Sequence, residues 1–373
     1  MCRHTRSRIA KYDYVVVGAG LTGATIARVL SDAGYRVIVV ERRNHIGGNV
    51  WDELHESGAR VHRYGPHYFR TSSRKVWSFV TRFAKFYPFA AKVVCELDGQ
   101  RIPWPLQASY LQQLCGDVRP AFTGVPRNFE EAALTKLPRL AYDLFVRDYT
   151  EKQWGVAPSR LLPSLAKRLE VRTNGDPHLT PKARYQGLPV GGYARLVARM
   201  LTEITTILNC DYFAVADHLR PRKKLIYTGP IDRFFDYQFG RLPYRCQRRE
   251  VRYYADLTDY QGTEQVNYPL HRQGPLVRSI EWKWLNPRKA VRGSVVTIET
   301  PANATGLDDL EYPIPLPEAQ EVYAKYRHLA DQYSSLVVCG RTGEYRYLDM
   351  DVAILRALTV ARQLAVENKL PAT

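Results

Sequence analysis

The sequence predicts an α/β protein whose parallel α/β core is interrupted by an inserted helical block and by an antiparallel sheet. Tyr14–Glu41 has the pattern of a strand, a glycine-rich turn, a helix and a second strand, which is typical of a parallel α/β unit. Gln107–Arg168 is mostly helical in pattern, whereas Tyr244–Thr300 alternates apolar and polar residues as antiparallel strands do. A buried strand at Leu336–Cys339 and a helix at Val352–Ala365 would return the chain to the core.

Length and composition place the chain among globular proteins. Its 373 residues are 45% hydrophobic and 12% aromatic, which is enough apolar material for more than one buried core. The formal charge of +17 comes from basic residues that are spread along the chain, without a base-stacking module or zinc-finger spacing. We therefore favour a solvated basic surface first, an anionic small ligand second and nucleic acid last, and we expect no nucleic-acid partner.

The cysteines and the apolar runs bear on the cellular compartment. The six cysteines are scattered and none forms a C-x-x-C pair, which indicates free thiols in a reducing compartment. No apolar segment precedes the first strand, as a signal peptide would require, and no apolar run is as long as a membrane span. We expect a cytoplasmic protein with no membrane span and no metal site.

The first α/β unit follows from the spacing of its apolar residues. Tyr14–Val17 is a β-branched run that ends at glycine, as buried parallel strands often do. Leu21–Ala33 has apolar residues at helical spacing and stops before Gly34, a favourable residue just past a helix end. Val37–Val40 is the second β-branched run. Together these three elements form half of a dinucleotide-binding unit.

The turn between the first strand and the helix has the spacing G-x-G-x-x-G. Gly18 permits the tight turn, Gly20 lets the backbone approach a pyrophosphate, and Gly23 lets the helix pack closely on the strand. The helix N-terminus then faces the diphosphate with free N–H groups and a positive dipole. Glu41 closes the second strand 18 residues after Gly23, where its carboxylate can accept hydrogen bonds from ribose hydroxyls.

Two segments favour FAD over NAD as the dinucleotide. Residues 41–49, ERRNHIGGN, add arginine and a second glycine pair beside the cofactor. Residues 339–354, CGRTGEYRYLDMDVAI, place glycine at a strand end and Asp349 before a helix, which suits the ribityl chain and ring of a flavin. Asp349 also fits a simple helix N-cap, and both roles can hold at once. The expected cofactor-binding residues are Gly18, Gly20, Leu21, Thr22, Gly23, Glu41, Arg42, Asn49, Gly340, Arg341, Tyr347, Leu348, Asp349 and Met350.

Turn-forming residues and the spacing of apolar residues predict the secondary structure of the segments between the core elements. Asp98-Gly99 between two apolar runs predicts a hairpin over Val93–Ile102. Glu130–Asp148 is the strongest helix candidate of the helical block, despite Pro138. Three further predictions are a loop at Gly187–Gly192, a helix at Tyr193–Glu203 and a strand at Leu225–Tyr227.

Seven segments in order along the chain are VVVGAGLTGA, ERRNHIGGN, HRYGPHYF, YTEKQWG, YQGLPVGGY, YTGPIDRFFDYQFGRLPYR and GRTGEYRYLDMD. Together they resemble the bacterial UDP-galactopyranose mutase family over nearly the whole length, and YTEKQWG and GRTGEYRYLDMD are more specific to it than generic FAD motifs. The resemblance implies an FAD-binding Rossmann-like domain with an inserted helical domain and a twisted antiparallel β-sheet domain. We expect the first at 10–85, 193–243 and 318–373, the second at 104–172 with a mobile loop after it, and the third at 86–103, 173–192 and 244–317.

The resemblance also implies an unusual use of the flavin. FAD, reduced by NAD(P)H or another external electron source, would attack the anomeric carbon of an NDP-pyranose through its N5 atom. The nucleotide diphosphate would leave and then return after ring contraction to the furanose, with no net redox change. The implied partner is a nucleotide sugar, as in the supply of galactofuranose for cell-surface polysaccharides, and a homodimer is also implied.

The resemblance implies roles for individual residues at the positions where this sequence matches the motifs of the family. Arg168 in AKRLEV resembles the mobile-loop arginine that closes over the diphosphate, and Arg278 in LVRSIE resembles the second phosphate arginine. Tyr312 and Tyr347 resemble the phosphate tyrosines, and His67 resembles the histidine beside the flavin. We expect His67, Arg168 and Arg278 to act in catalysis. The other matches, around the base and the sugar, are Phe145, Tyr149, Trp154, Asn267, Glu299 and Asp349.

Several positions around the substrate depart from the family pattern, namely Arg70, Ala91, Val146, Leu179 and the segment 274–283. A site built around particular hydroxyls discriminates strongly when one polar partner is missing. The sugar and the base therefore stay open, with UDP-galactose and other NDP-sugars as alternatives. Two further alternatives are a flavin oxidoreductase of the amine-oxidase type and a catalytically idle binding protein.

Overall fold

The computed structural model describes residues 12–180, 182–285 and 291–367. The helices are α1 (Leu21–Asp32), α2 (Arg74–Val80), α3 (Ala108–Cys115), α4 (Phe129–Leu134), α5 (Arg139–Tyr142), α6 (Asp148–Trp154), α7 (Gly192–Met200), α8 (Tyr212–Val215), α9 (Ile231–Phe234), α10 (Pro317–Asp331), α11 (Gly340–Gly343) and α12 (Met350–Glu367). The strands are β1 (Tyr14–Val17), β2 (Val37–Val40), β3 (Asp52–Leu54), β4 (Arg60–His62), β5 (Phe69–Thr71), β6 (Phe86–Tyr87), β7 (Val93–Leu97), β8 (Gln100–Trp104), β9 (Tyr185–Pro189), β10 (Thr205–Ile207), β11 (Lys224–Tyr227), β12 (Tyr244–Tyr254), β13 (Gln265–Asn267), β14 (Arg278–Glu281), β15 (Ser294–Asn303), β16 (Tyr312–Pro313) and β17 (Leu336–Val338).

A parallel sheet of five strands, in the order β10-β2-β1-β11-β17, forms the core of the nucleotide-binding region. Successive residues of β1 point to opposite faces of the sheet. Val16 belongs to a large hydrophobic core beside α1 and α12, and Val15 belongs to a smaller core on the other face. Burial on both faces explains why the central strands β1 and β2 consist almost entirely of β-branched residues. The predicted first unit, the strand near Leu225–Tyr227 and the return through β17 and α12 are therefore confirmed.

The second sheet has seven strands in the order β16-β12-β15-β14-β13-β7-β8. Neighbouring strands are antiparallel except for β13 and β7, which are parallel. The long pair β12 and β15 runs from Arg245 opposite Asn303 to Tyr254 opposite Ser294. This confirms the antiparallel sheet predicted for Tyr244–Thr300, and β7 and β8 confirm the hairpin around Asp98-Gly99.

The helix predicted over Glu130–Asp148 is wrong as a single element. α4 ends at Leu134, and helix resumes only after Pro138, the N-cap residue of α5. Proline lacks the N–H that an uninterrupted helix needs and disfavours helical backbone at the residue before it. A π-helix over residues 143–147 then joins α5 to α6, and Gly155 in the left-handed conformation (φ +68) ends the run.

The loop predicted at Gly187–Gly192 is wrong in its first half. Tyr185–Pro189 is β9, the middle strand of a three-stranded sheet, which pairs with β5 and β6. A Cβ on Gly187 would lie 2.5 Å from the carbonyl oxygen of Tyr87 on β6. Glycine here permits a close backbone approach and not a turn.

The remaining predictions concern a helix end, the thiols and the domain limits. α7 begins at Gly192 and ends at Met200, before the predicted end at Glu203. Within the described ranges, the cysteines at 95, 115, 210, 246 and 339 are free as predicted, and Cys2 lies outside those ranges. No helix of the described residues is long and apolar enough to cross a membrane. The domain boundaries stay a prediction, and their residues 10, 11 and 368–373 lie outside the described part.

Candidate functional site

A cleft opens where the carboxyl ends of the parallel strands meet, the usual ligand position in such sheets. The predicted residues that line it are Gly18, Gly20, Leu21, Thr22, Glu41, Arg42, Asn49, Gly340, Arg341, Leu348 and Met350. Gly23 lies behind the turn, where it contacts Gly18, and Tyr347 lines a neighbouring cavity. The fold thus brings the two ends of the sequence together in one groove.

The glycine turn fits a bound dinucleotide. Gly18 has φ +102, and a Cβ on Gly23 would lie 2.0 Å from the Gly18 carbonyl oxygen, so helix and strand touch through backbone. Gly20 differs, because a Cβ there would meet only Gly48 Cα, at 3.8 Å, and would otherwise occupy the cleft. No side chain within the described ranges caps the N-terminus of α1. Its first N–H groups are therefore free for an anionic ligand.

The carboxylate of Glu41 also organises the turn. It accepts hydrogen bonds from the backbone N–H groups of Ala19 and Arg43, each at 2.8 Å. The carboxylate still lines the cleft, and each oxygen keeps a lone pair for a ribose hydroxyl. Arg42, which also lines the cleft, pairs with Asp308 at 2.7 Å. The positive charge of Arg42 is therefore compensated by a carboxylate of the protein itself.

A second cavity, of about 850 Å³, lies beside the cleft and shares Asn49, His67 and Arg341 with it. A ring bound at this junction would face both spaces. Among the residues that the structure describes, His67 Nδ1 is buried and has no hydrogen-bond partner. A bound ligand commonly satisfies such an atom. Burial, together with the nearby Arg341 guanidinium, lowers the pKa of His67 to about 3. The imidazole is therefore neutral near pH 7.

One wall of this cavity is an arginine–glutamate network. Arg249 on β12 and Arg278 on β14 share the fully buried carboxylate of Glu299, with 2.9 Å from Arg249 Nε to Glu299 Oε1. Arg249 also donates to both oxygens of Glu311, at 2.8 and 2.7 Å. Burial alone would raise the pKa of Glu299, but the two guanidiniums hold it below its usual value. The network fixes Arg278 as a permanent cation beside the cavity that it lines.

Another wall combines stacked phenols and guanidinium groups. The ring centres of Tyr312 and Tyr347 are 6.0 Å apart with their planes nearly parallel, and Trp154 meets Tyr312 edge-on at 6.4 Å. The guanidinium carbons of Arg168 and Arg341 lie 4.0 and 4.7 Å from the centre of the Tyr347 ring. Burial would raise the pKa of Tyr347, but these two cations lower it overall. Such donors suit a diphosphate.

A smaller apolar pocket of about 190 Å³ continues from the cavity. The two spaces share Tyr149, Gln153, Trp154, Leu165 and Arg168. The other residues that line the pocket are Cys95, Trp104, Phe129, Phe145, Val146, Thr150, Leu169 and Asn267. The π-helix at 143–147 contributes two of these residues just before α6, and π-turns are frequent at functional sites. The predicted aromatic and amide residues are thus brought together in one pocket.

A buried lysine ties α6, the helix of the aromatic wall, to the antiparallel sheet. Lys152 Nζ donates to the backbone carbonyls of Tyr268, Leu270 and Leu276, at 2.6, 3.0 and 2.9 Å. Burial lowers the pKa of this ammonium group to about 8. Because these carbonyls belong to the turn that leads into Arg278, the aromatic wall and Arg278 are positioned together.

The positions that depart from the family pattern lie in different surroundings. Val146 lines the apolar pocket. Ala91 is buried, and its carbonyl accepts the N–H of Leu179 at 2.7 Å, so these two residues join backbone segments. Arg70 pairs with Asp349 at 3.4 Å. The Asp349 side chain therefore makes an ion pair. Its backbone carbonyl accepts the N–H of Ala353 in the first turn of α12.

The sequence did not predict the roles of Tyr64, which lines the cavity, or of Arg249, which shares Glu299 with Arg278. Arg249 shares a strand face with Gln247, and the period-two alternation of β12 was the available signal. Tyr64 lines the cavity, and the guanidinium carbon of Arg43 lies 4.6 Å from its ring centre. Its signal was its place in HRYGPH, three residues before His67.

Family and sequence comparisons agree with this architecture. The family model for UDP-galactopyranose mutase matches residues 144–347, and that for an NAD(P)-binding Rossmann-like domain matches residues 16–83. The chain is 34% identical to a probable UDP-galactopyranose mutase of Klebsiella pneumoniae, over 94% of each chain. It is also 32% identical to a dTDP-fucopyranose mutase of Escherichia coli, over 95% of this chain and 99% of the relative.

Solved structures share the fold at low sequence identity. A reduced UDP-galactopyranose mutase matches with a TM-score of 0.74 and 15% identity, over 96% of this chain and 95% of the other. A putative protoporphyrinogen oxidase from Exiguobacterium matches with a TM-score of 0.65 and 10% identity, over 96% and 99%. Both likenesses concern the fold: a Rossmann-like domain joined to an antiparallel sheet domain.

Proposed function

The chain belongs to the UDP-galactopyranose mutase family of isomerases, and we propose that it interconverts the pyranose and furanose forms of an NDP-sugar with reduced FAD. The observation that carries the proposal is the junction of two spaces. The dinucleotide cleft and the arginine–tyrosine cavity share Asn49, His67 and Arg341. A cofactor ring at this junction would meet a diphosphate-linked ligand in the cavity.

The family and the Rossmann-like domain imply a flavin cofactor. The glycine turn and Glu41 would hold its ADP half, and Leu348, Met350 and His67 would surround its ring. When bound and reduced, the flavin supplies a nucleophilic nitrogen to the anomeric carbon of the sugar. The buried, unpartnered Nδ1 of His67 supports this placement, because a ligand at the junction would give that atom its missing partner.

The cavity side chains have the task of binding the nucleotide diphosphate. Arg278 and Arg168 would bind its two negative charges, with hydrogen bonds from Tyr312 and Tyr347. These groups keep the leaving group in place while it is separate from the sugar and orient it for return. The Glu299 network supports this role because it fixes the direction of Arg278 before a ligand arrives.

The test is turnover by the flavin-loaded protein with a panel of NDP-sugars. The protein is reduced with dithionite, incubated with UDP-galactose, dTDP-fucose and other NDP-sugars, and the products are separated and identified by NMR. We expect a furanose product from at least one sugar, only after reduction and without net loss of flavin electrons. No product from any sugar, with flavin bound and reduced, would show that the proposal is wrong.

The base and the sugar are the open part of the proposal. Relatives named for UDP-galactose and for dTDP-fucose are similarly close in identity, so both nucleotides belong in the panel. The same experiment separates the mutase from an oxidoreductase of related fold, because an oxidoreductase would reduce oxidised flavin upon substrate addition. NAD(P)H can replace dithionite to identify the electron source.

We also propose a cytoplasmic location and a homodimer. The free cysteines of the described residues support a reducing compartment, and family membership motivates the dimer. Cell fractionation tests the first proposal and sedimentation equilibrium tests the second. A monomer at micromolar concentration would contradict the dimer.

A further inference from the structure

One carboxylate at the edge of the site binds two arginines from separate elements. Asp349, just before α12, receives Arg168 Nη2 on Oδ1 at 3.0 Å and Arg70 Nη2 on Oδ2 at 3.4 Å. Arg70 lies on β5, whereas Arg168 ends the 3-10 helix Pro163–Arg168. The carboxylate is therefore bridged by two guanidiniums, each of which uses a different oxygen.

The two arginines differ in what else they reach. Arg168 lines the cavity, its guanidinium lies over the Tyr347 ring at 4.0 Å, and its side chain is 53% exposed. Arg70 is less exposed, and the hydrogen bond that the structure gives its guanidinium goes to Asp349. Arg168 is thus a cation that can turn toward a ligand, and Arg70 is one that stays with the carboxylate.

We propose that Arg70 is a positioning residue that acts through Asp349 and allows Arg168 to bind the substrate diphosphate. A carboxylate that is shared by two cations holds each of them less firmly than it would hold one. When Arg168 turns to the diphosphate, Arg70 remains and compensates the charge of Asp349. Without Arg70, Asp349 would retain Arg168 and would also repel the incoming dianion. The inference rests on the proposed function.

A purely structural role makes a different prediction. Arg70 and Asp349 are each 31% exposed, and an ion pair of that exposure contributes little to folding. If the pair only joined β5 to the start of α12, its loss would shift the melting temperature slightly and leave nucleotide binding unchanged. The distinguishing quantity is therefore the affinity for a nucleoside diphosphate, together with the split between KM and kcat.

The experiment measures UDP and dTDP binding to the flavin-loaded protein by titration calorimetry, and turnover where a substrate is known. We expect Arg70→Gln to raise the dissociation constant of whichever nucleotide binds more tightly by about threefold to fivefold. The same change should raise KM more than it lowers kcat. Arg70→Lys keeps the positive charge and should recover most of the affinity. Arg74→Gln, at an exposed arginine four residues along, is the matched control and should bind like the wild type.

A double-mutant cycle tests whether the effect passes through Asp349. In an Asp349→Asn background, Arg70→Gln should have no further effect, because the carboxylate that it compensates is gone. An equal loss in both backgrounds would mean a general charge effect and would overturn the inference, as would unchanged or tighter binding by Arg70→Gln. If the wild type binds neither UDP nor dTDP and the reduced protein turns over no NDP-sugar of the panel, the proposed function fails as well. If the wild type binds a nucleotide and Arg70→Gln binds it equally well, this inference is wrong but the proposed function is unaffected.

Discussion

Replacing Gly20 with alanine should separate cofactor binding from folding. Gly20 has φ −74, which any residue adopts, and its Cβ would meet only Gly48 Cα, at 3.8 Å. The fold should therefore tolerate the change, and the melting temperature of the flavin-free protein should not move. The added methyl would instead stand in front of the N-terminus of α1, where the diphosphate of the cofactor would bind.

The size of the effect follows from the backbone donors at that helix end. A displaced diphosphate loses one charge-assisted hydrogen bond, which is worth about 1.5–3 kcal/mol. That corresponds to a dissociation constant for FAD that is about 10 to 150 times higher. We would strip the flavin, titrate FAD back and follow the quenching of its fluorescence, with melting of the flavin-free protein measured in parallel.

Gly23→Ala is the contrasting variant. Its Cβ would lie 2.0 Å from the Gly18 carbonyl oxygen, so α1 must move away from β1 by about 1 Å. Such overpacking costs about 1–3 kcal/mol, and both stability and FAD affinity should fall. Gly34→Ala, with φ +90 and no atom within 4 Å, controls for backbone strain alone. If Gly20→Ala bound FAD like the wild type, or lost as much stability as Gly23→Ala, the assignment of the turn would be refuted.

Three further substitutions test other parts of the site. Glu41→Gln weakens the acceptor of two backbone N–H groups and should lower FAD affinity about tenfold; unchanged affinity by the same titration would contradict the role. Arg278→Lys keeps a charge but loses the planar fork, and kcat/KM should fall about a hundredfold in steady-state assays of reduced protein, whereas wild-type activity would argue against phosphate binding. The pKa of His67, about 3 in the fold, lies below its unfolded value near 6.5, so the unfolded chain takes up the proton first as pH falls. Its stabilising contribution is complete above pH 6.5 and should fall by about 3 kcal/mol by pH 4. Urea midpoints of wild type and His67→Gln should therefore diverge between pH 7 and pH 4, and parallel curves would refute the buried neutral imidazole.

Local patterns in the sequence were sufficient to predict the nucleotide-binding elements. The glycine turn, the β-branched strands and the acid at Glu41 are each fixed by residues that are close in sequence. Pro138 is a local signal too, and it outweighs the apolar spacing around it. The missing N–H of Pro138 explains the break between α4 and α5, whereas the π-helix at 143–147 has no such local signal.

Other features depend on partners that are distant in sequence. Gly187 and Pro189 indicated a loop, yet both belong to a strand because β5 and β6 lie on either side of it. Arg249 could be placed on a strand face, but its link to Arg278 required Glu299 from a third strand. The contact between Arg70 and Asp349 spans most of the chain, and no period or motif predicts such a pair.

The cofactor cleft has a consequence for the protein while it is being synthesised. Its glycine turn forms from the first strand and helix described, but Gly340, Leu348 and Met350 come with the last strand and the last helix. α12 packs directly on α1, so the early half of the groove has an uncovered apolar helix until the chain is almost finished. We therefore expect flavin to bind only once α12 has been added to the chain. If a protease removes α12 from the flavin-loaded protein, the flavin should be released.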